Sequence, residues 1–186
     1  MKRSMKRVVT LLLAFVLSLS ALTAVEAAQK KLKVTYKGKS ATIINAKGNS
    51  LTYPSLKKLW GNPNKTEKYP EYKQIRYTYK RGKSFVRANY RTKGSGLPGY
   101  TSYTISIKDK NMSLNGVTVG MKKKDALKQL KRAFGSGKKS IDGEWVPIVQ
   151  DYTKTRTIYV YYADMIPINV KYNKAGKVTS IYFWFS

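Results

Sequence analysis

The sequence contains no cysteine and no histidine, and only nine acidic residues stand against 37 lysines and arginines. Without cysteine there is no disulfide, no thiolate nucleophile and no cysteine-bearing zinc site. Without histidine the commonest general base and metal ligand is missing too. Carboxylates are so few that paired-acid chemistry has little to draw on. The imbalance leaves a formal charge of +28 at pH 7 over 186 residues, which bears on partners and solubility and not on fold. That length bounds the chain to one domain, or two small ones sharing a core, and permits a core large enough to dispense with disulfides.

The N-terminus holds the one long apolar run. Lys2, Arg3, Lys6 and Arg7 precede an uncharged stretch from Val8 to Val25, and Val25-Glu26-Ala27 places small residues at the −3 and −1 positions of a cut before Ala28. This is the layout of a secretory signal peptide over residues 1–27. The alternative is an uncleaved membrane anchor, since the run nearly has the length to span a bilayer. Cleavage removes four basic residues and Glu26, leaving 33 basic against eight acidic residues, a net +25. The C-terminus, Tyr182 to Ser186, carries no sorting motif and no second apolar helix.

From Lys31 to Asn45 apolar and polar residues alternate on either side of a Lys37-Gly38 turn, which predicts an N-terminal β-hairpin within residues 28–49. Beyond it, Leu56-Lys57-Lys58-Leu59-Trp60-Gly61 matches Leu130-Lys131-Arg132-Ala133-Phe134-Gly135, each read as a helix end stopped by glycine. Three strand-like runs follow each: Tyr72–Lys80, Lys83–Arg91 and Thr101–Asp109, then Arg156–Ala163, Met165–Tyr172 and Lys177–Phe185. The expected fold is therefore α+β: two helix-plus-three-strand repeats, residues 50–112 and 113–186, forming one antiparallel sheet with helices on one face. In the second helix Met121, Leu127, Leu130, Ala133 and Phe134 share one side, and a run of lysines the other. The whole of 28–186 is expected to form one compact domain.

The pattern of a short helix ending in glycine, a loop and three antiparallel strands resembles the tandem-repeat fold of the β-lactamase inhibitor proteins and the related small outer-membrane assembly lipoproteins. Asn115-Gly116-Val117-Thr118-Val119-Gly120-Met121, leading into the second helix, is similar to the start of those modules, and the likeness covers about residues 50–186. Lys122 departs from it, standing where the family usually has a Ser or Thr cap, and the family's cysteines are missing. The resemblance implies a non-catalytic, protein-contacting fold, with the sheet face away from the helices as the binding face; it does not imply inhibition of a β-lactamase.

Side chains two apart on a strand share a face. One set is mostly apolar and is assigned to the core: Ile75, Tyr77, Tyr79, Val86, Ala88, Tyr103, Ile105, Ile107, Ile158, Val160, Ile166, Ile168, Val170, Ile181 and Phe183. The other mixes cations with large aromatics, and its candidate binding residues are Arg76, Phe85, Arg87, Lys108, Tyr159, Tyr161, Lys171, Tyr182 and Trp184; Lys80 and Asn89 fall on the same face. Aromatics with Arg make the composition of an interaction hot spot, of a sugar-stacking surface or of a phosphate grip. Strands also favour aromatics for their own sake, and long Lys stems shield them.

The glycines at Gly94 and Gly96 follow no parallel strand and open no helix, so they form a loop and not a nucleotide-binding turn. Lys138, Lys139 and the stretch Asp142-Gly143-Glu144-Trp145 read as surface. No serine lies in a nucleophile-elbow pattern. The expectation is a secreted, non-enzymatic binding module, without cofactor or metal, held at a bacterial cell surface by its charge. Its partner is an unidentified protein or, alternatively, an anionic cell-wall polymer or glycan bound directly. Peripheral contact with anionic membrane fits the charge; specific nucleic-acid binding does not fit export. A monomer is expected.

Overall fold

The alternation of apolar and polar side chains becomes strand throughout the computed structural model of the protein, which describes residues 31–44, 49–139, 145–162 and 166–185. The signal segment and its cut site, Asn45, Asp142 to Glu144 and Asp164 to Met165 lie outside the described residues. In chain order come β1 (Leu32–Tyr36), β2 (Lys39–Ile44), α1 (Tyr53–Trp60), β3 (Lys65–Tyr69), β4 (Gln74–Arg81), β5 (Ser84–Arg91), β6 (Thr101–Ile107) and β7 (Met112–Leu114). Then follow α2 (Lys123–Phe134), β8 (Gly137–Lys139), β9 (Trp145–Pro147), β10 (Val149–Tyr152), β11 (Thr157–Tyr162), β12 (Ile166–Tyr172) and β13 (Val178–Phe185).

Eight of these strands form one sheet in the order β10-β11-β12-β13-β6-β5-β4-β3, antiparallel throughout. A three-stranded sheet, β2-β1-β7, and a two-stranded one, β8-β9, complete the set. The expected pair of helix-plus-three-strand repeats is therefore not the architecture. Strands make up 51% of the described residues, so the protein is mostly β and not α+β of that kind. Each helix is followed by four strands of the large sheet instead of three, and β8-β9 intervenes after α2.

The physical reason lies in the two outermost strands. Strand β3 reads Lys-Thr-Glu-Lys-Tyr and has no apolar alternation, because an edge strand is protected by charge and not built for burial on both sides. Strand β10 has only four residues. The six longer strands, by contrast, lie within two residues of where alternation places them.

The hairpin at Lys31 also finds a role in the main core. Its turn puts Lys37 at φ 50° and Gly38 at φ 75°, the left-handed pair that a two-residue hairpin turn requires. Strand β1 then pairs on its other side with β7, in the register Val34↔Leu114. Asn115 locks this joint: its amide donates to the Lys31 carbonyl at 2.7 Å, and its Oδ1 accepts from the Lys33 amide at 2.9 Å.

One cluster of buried residues joins the large sheet to α1, α2 and the small sheet. Tyr36 of the hairpin meets Trp60 of α1 and Tyr79 of the large sheet, with ring centroids 5.2 and 5.7 Å apart. Tyr53 lies flat on Tyr77, 3.3 Å between centroids and 3° between planes. The Tyr103 hydroxyl, inside the sheet, donates to the Leu51 carbonyl. In α2 the buried residues are Ala126, Leu130 and Phe134, with Leu127 and Ala133 half-buried. Met121 stands before the helix, whose N-cap Lys122 offers no side-chain bond; its carbonyl accepts from the Asp125 and Ala126 amides.

Two outcomes follow for stability. Phe183 is fully buried and its neighbour Trp184 is 47% exposed. Phe183→Ala is expected to cost about 3–5 kcal/mol and Trp184→Ala under about 1 kcal/mol, measured by urea unfolding. Burial also pushes the Tyr79 and Tyr103 hydroxyls well above the ordinary tyrosine value. They keep their protons in the folded chain while unfolded tyrosines ionise near pH ~10. Stability should thus be complete below about pH 10 and fall above it, because the folded state then holds more protons. Tyr103→Phe should lose about 1 kcal/mol at pH 8 from the missing bond to Leu51, yet decline less steeply at pH 11.

Candidate binding face

Because one face of the large sheet is buried, register alone decides what the other face presents. Cross-strand pairs string seven residues into a single row: Lys80–Phe85–Ser106–Tyr182–Asn169–Tyr159–Gln150, one from each strand from β4 to β10. Beside it runs a second row, Lys65–Thr78–Arg87–Thr104–Trp184. A third reads Glu67–Arg76–Asn89–Ser102. On the opposite flank of the first row lie Tyr152, Thr157, Lys171 and Ser180.

Of the nine candidate residues, eight stand on this face within the strands. Tyr161, Tyr182, Trp184 and Lys171 are exposed; Arg76, Phe85, Arg87 and Tyr159 are half-buried. Lys108 is exposed just beyond the end of β6, where its amide bonds Ser84 Oγ at 2.9 Å, so it sits at the rim. Of the apolar set, Ile75 and Tyr77 are half-buried and Ile166 has no described side chain; all the others are buried.

The rows divide the face by chemistry. Aromatics gather on β10, β11 and β13. Tyr152 meets Tyr159 edge-on at 5.2 Å, and Tyr159 lies 6.4 Å from Tyr161 with their planes 22° apart. Hydrogen bonding to Tyr152, and then burial, holds the Tyr161 hydroxyl above its ordinary value. Cations gather on β4 and β5. The Arg87 guanidinium covers the Phe85 ring at 4.3 Å. Arg76 bonds Asn89 Oδ1 at 2.9 Å and the Tyr69 hydroxyl at 3.0 Å while lying 4.9 Å from the Tyr69 ring. Between the two halves β6 presents only Ser102, Thr104 and Ser106, so small side chains form a trough flanked by rings on one side and guanidinium groups on the other.

Among the described strand residues of this face Glu67 is the one carboxylate. It accepts from Lys65 Nζ at 2.8 Å, and that bond, foremost, holds its carboxyl below the ordinary value. The other acids in strands or turns are tied elsewhere. Asp151 points to the core side, bonding Lys123 Nζ at 2.9 Å and the Tyr172 hydroxyl at 2.7 Å. Asp109 closes a turn through the Lys83 and Asn111 amides. No group of three His, Cys, Asp or Glu among the described residues is placed to hold a metal ion.

Three features of the face escape the reading of the sequence. Tyr152 belongs to β10, which was not expected as a strand. The β6 trough is visible in the parity of Ser102, Thr104 and Ser106, but small polar residues announce nothing by themselves. Asn169 shares the parity of Lys171 and lies directly between Tyr159 and Tyr182, and its Oδ1 is buried with no hydrogen-bond partner.

No protein-family model matches the chain, and no curated protein matches it. A solved structure similar to part of it is an extracellular protein containing an SCP domain from Bacillus anthracis str. Ames, 11% identical, with a TM-score of 0.38. The likeness covers 73% of this chain, which spans 43% of the length of that one. Similarity of this degree carries no argument about fold or function. No helix among the described residues is long and apolar enough to cross a membrane.

The electrostatics of the face can be read through its tryptophan. The difference in fluorescence between the wild type and Trp184→Phe isolates Trp184, and the ratio of iodide to acrylamide quenching of that signal should fall steeply as sodium chloride is added. A ratio indifferent to salt would mean that the cations of β4 and β5 do not create a positive potential over the rings.

Proposed function

We propose that the protein is a secreted, non-enzymatic binding module that makes its contact through the open face of the large sheet and is held at an anionic bacterial cell surface by its charge. The observation that carries this reading is the face itself: Tyr161, Tyr182 and Trp184 stand exposed on a face that also carries Arg87 and Lys171, and its one carboxylate among the described strand residues, Glu67, is paired with Lys65 at the far edge. Large rings left in water on a sheet that has apolar residues enough to bury elsewhere are the mark of a surface kept for a partner.

The remaining observations support binding over catalysis. Glu67, Asp109 and Asp151 are each engaged in a structural bond, which leaves none of them poised against a second acid across a cleft. Export follows from the layout of residues 1–27, and a chain at +25 concentrates at polyanionic walls and at anionic membrane surfaces without any specific contact. Retention by charge and contact by the face are then separate effects that salt distinguishes.

Co-sedimentation of the mature protein with Gram-positive cell walls, with and without their teichoic acid, tests this directly. Binding is expected to weaken as salt rises toward 1 M, where screening acts within about 3 Å, and to leave a salt-resistant fraction. Replacing Tyr159, Tyr161 and Trp184 together by alanine should reduce that fraction about tenfold or more. A triple variant that binds like the wild type would remove the sheet face from the function, and no binding to any wall would remove surface retention.

A further inference from the structure

Asn169 lies within the longest row on the open face, between Tyr159 on one side and Tyr182 on the other. Its Oδ1 is the buried side-chain atom without a hydrogen-bond partner among the described residues. A buried unpaired amide oxygen is unfavourable, and a well-packed sheet has an easy remedy in any apolar residue of the same size. Asn169 as a whole is half-buried, and its cross-strand neighbours on the face are Tyr159, also half-buried, and Tyr182, 44% exposed. Exposed side chains of this kind change rotamer within nanoseconds, and a ligand lying across the two rings passes directly over the amide.

The chemistry around Asn169 says what such a ligand is. Aromatic rings at two-strand intervals, about 10 Å apart, offer stacking platforms. The amide needs a group able to donate a hydrogen bond, and a hydroxyl both donates and accepts, so it satisfies the side chain whichever way its oxygen and nitrogen are arranged. A bare phosphate or carboxylate oxygen cannot do so, being acceptor only. Anionic groups find Lys171 one row away, and Arg87 across the trough from Trp184.

We infer that the partner of the sheet face is an anionic sugar polymer, with Tyr159, Tyr182 and Trp184 stacking on its rings, the Asn169 amide bonding a ring hydroxyl, and Lys171 and Arg87 meeting its charges. This rests on the open face being the contact surface and names the chemistry that surface takes. Its charges derive either from phosphate, in a glycosylated polyol phosphate, or from carboxylate, in an acidic polysaccharide; both offer hydroxyls beside anions.

The test uses the mature protein and four probes: glycosylated poly(glycerol phosphate), polygalacturonate, inorganic polyphosphate and dextran. At a salt concentration that releases polyphosphate, one or both sugar polyanions should remain bound, and the better of the two identifies the source of the charge. Dextran, without charge, should bind weakly. Asn169→Leu should weaken binding of the sugar polyanion about tenfold, leave polyphosphate at low salt unchanged, and raise the thermal midpoint by about 2–4 °C, since it removes the unpaired oxygen. That combination separates a binding role from a structural one, which would lower the midpoint. Tyr182→Ala, at an exposed position, should lose the same sugar preference and guards against a folding defect in the first variant. Equal binding of polyphosphate and sugar polyanion, unaffected by either variant, would overturn the inference. So would a face whose alanine variants lose cell walls while the wild type ignores both sugar polymers: the contact surface would then stand and its partner would be a protein.

Discussion

The pairing of β6 with β13 is the joint on which the structure depends. These two strands bring together a meander of β3 to β6 and another of β10 to β13, in the register Ile105↔Phe183 and Ile107↔Ile181. All four of those side chains are fully buried. A slip of β13 by one residue would turn Phe183 and Ile181 to solvent and drive Tyr182 and Trp184 inward. Burial therefore holds the register, and the register composes the open face. The rows of rings, small residues and cations are a by-product of core packing in their geometry, and owe to sequence only what they carry.

Charge contributes little to holding this fold together. Two ion pairs stand among the described residues, Lys65–Glu67 and Lys123–Asp151. The first is exposed, and pairs of that kind contribute little. The second ties the start of α2 to β10, where the Asp151 bond, foremost, raises the Lys123 amine and the Tyr172 hydroxyl adds a third partner. With cations in such excess the net electrostatic effect on the compact state is repulsion. The apolar layer between the sheets, the buried tyrosine rings and the backbone ladders must outweigh it.

What could be read from the sequence follows the same division. Six strands and the parity of their faces were legible, because half-buried antiparallel strands declare themselves by alternation. So were Gly61 and Gly135, which end the two helices at positive φ. The architecture was misread where no alternation exists: β3 carries Lys65, Glu67 and Lys68 as edge protection, and β10 is too short to show a period. Pairing of β1 with β7 joins residues about 80 apart in sequence, and no local pattern encodes it. On the open face the rings and guanidinium groups were identifiable by type, whereas Asn169 and the β6 trough acquire meaning only from their cross-strand neighbours.

An open sheet face with four large exposed rings invites self-association, and so do its unpaired edges. The distribution of charge answers both hazards. Lys65 and Lys68 lie on the β3 edge, Arg76, Lys80 and Arg87 on β4 and β5, and Lys171 on β12 between strands that carry the rings, so two copies that approach face to face both bring a net positive charge. Repulsion between copies disappears when the cations are matched by a polyanion, which is the condition that would prevail at a bacterial wall. Under the proposed function, the same side chains that oppose contact between copies become attractive at an anionic surface. Lysine suits this double use better than arginine, since its strongly hydrated ammonium deters close packing in water yet still pairs as a point charge with a flexible polymer. On that view the charge excess and the aromatic face are one device: the first keeps the second in solution, carries it to the surface and leaves it free to bind there.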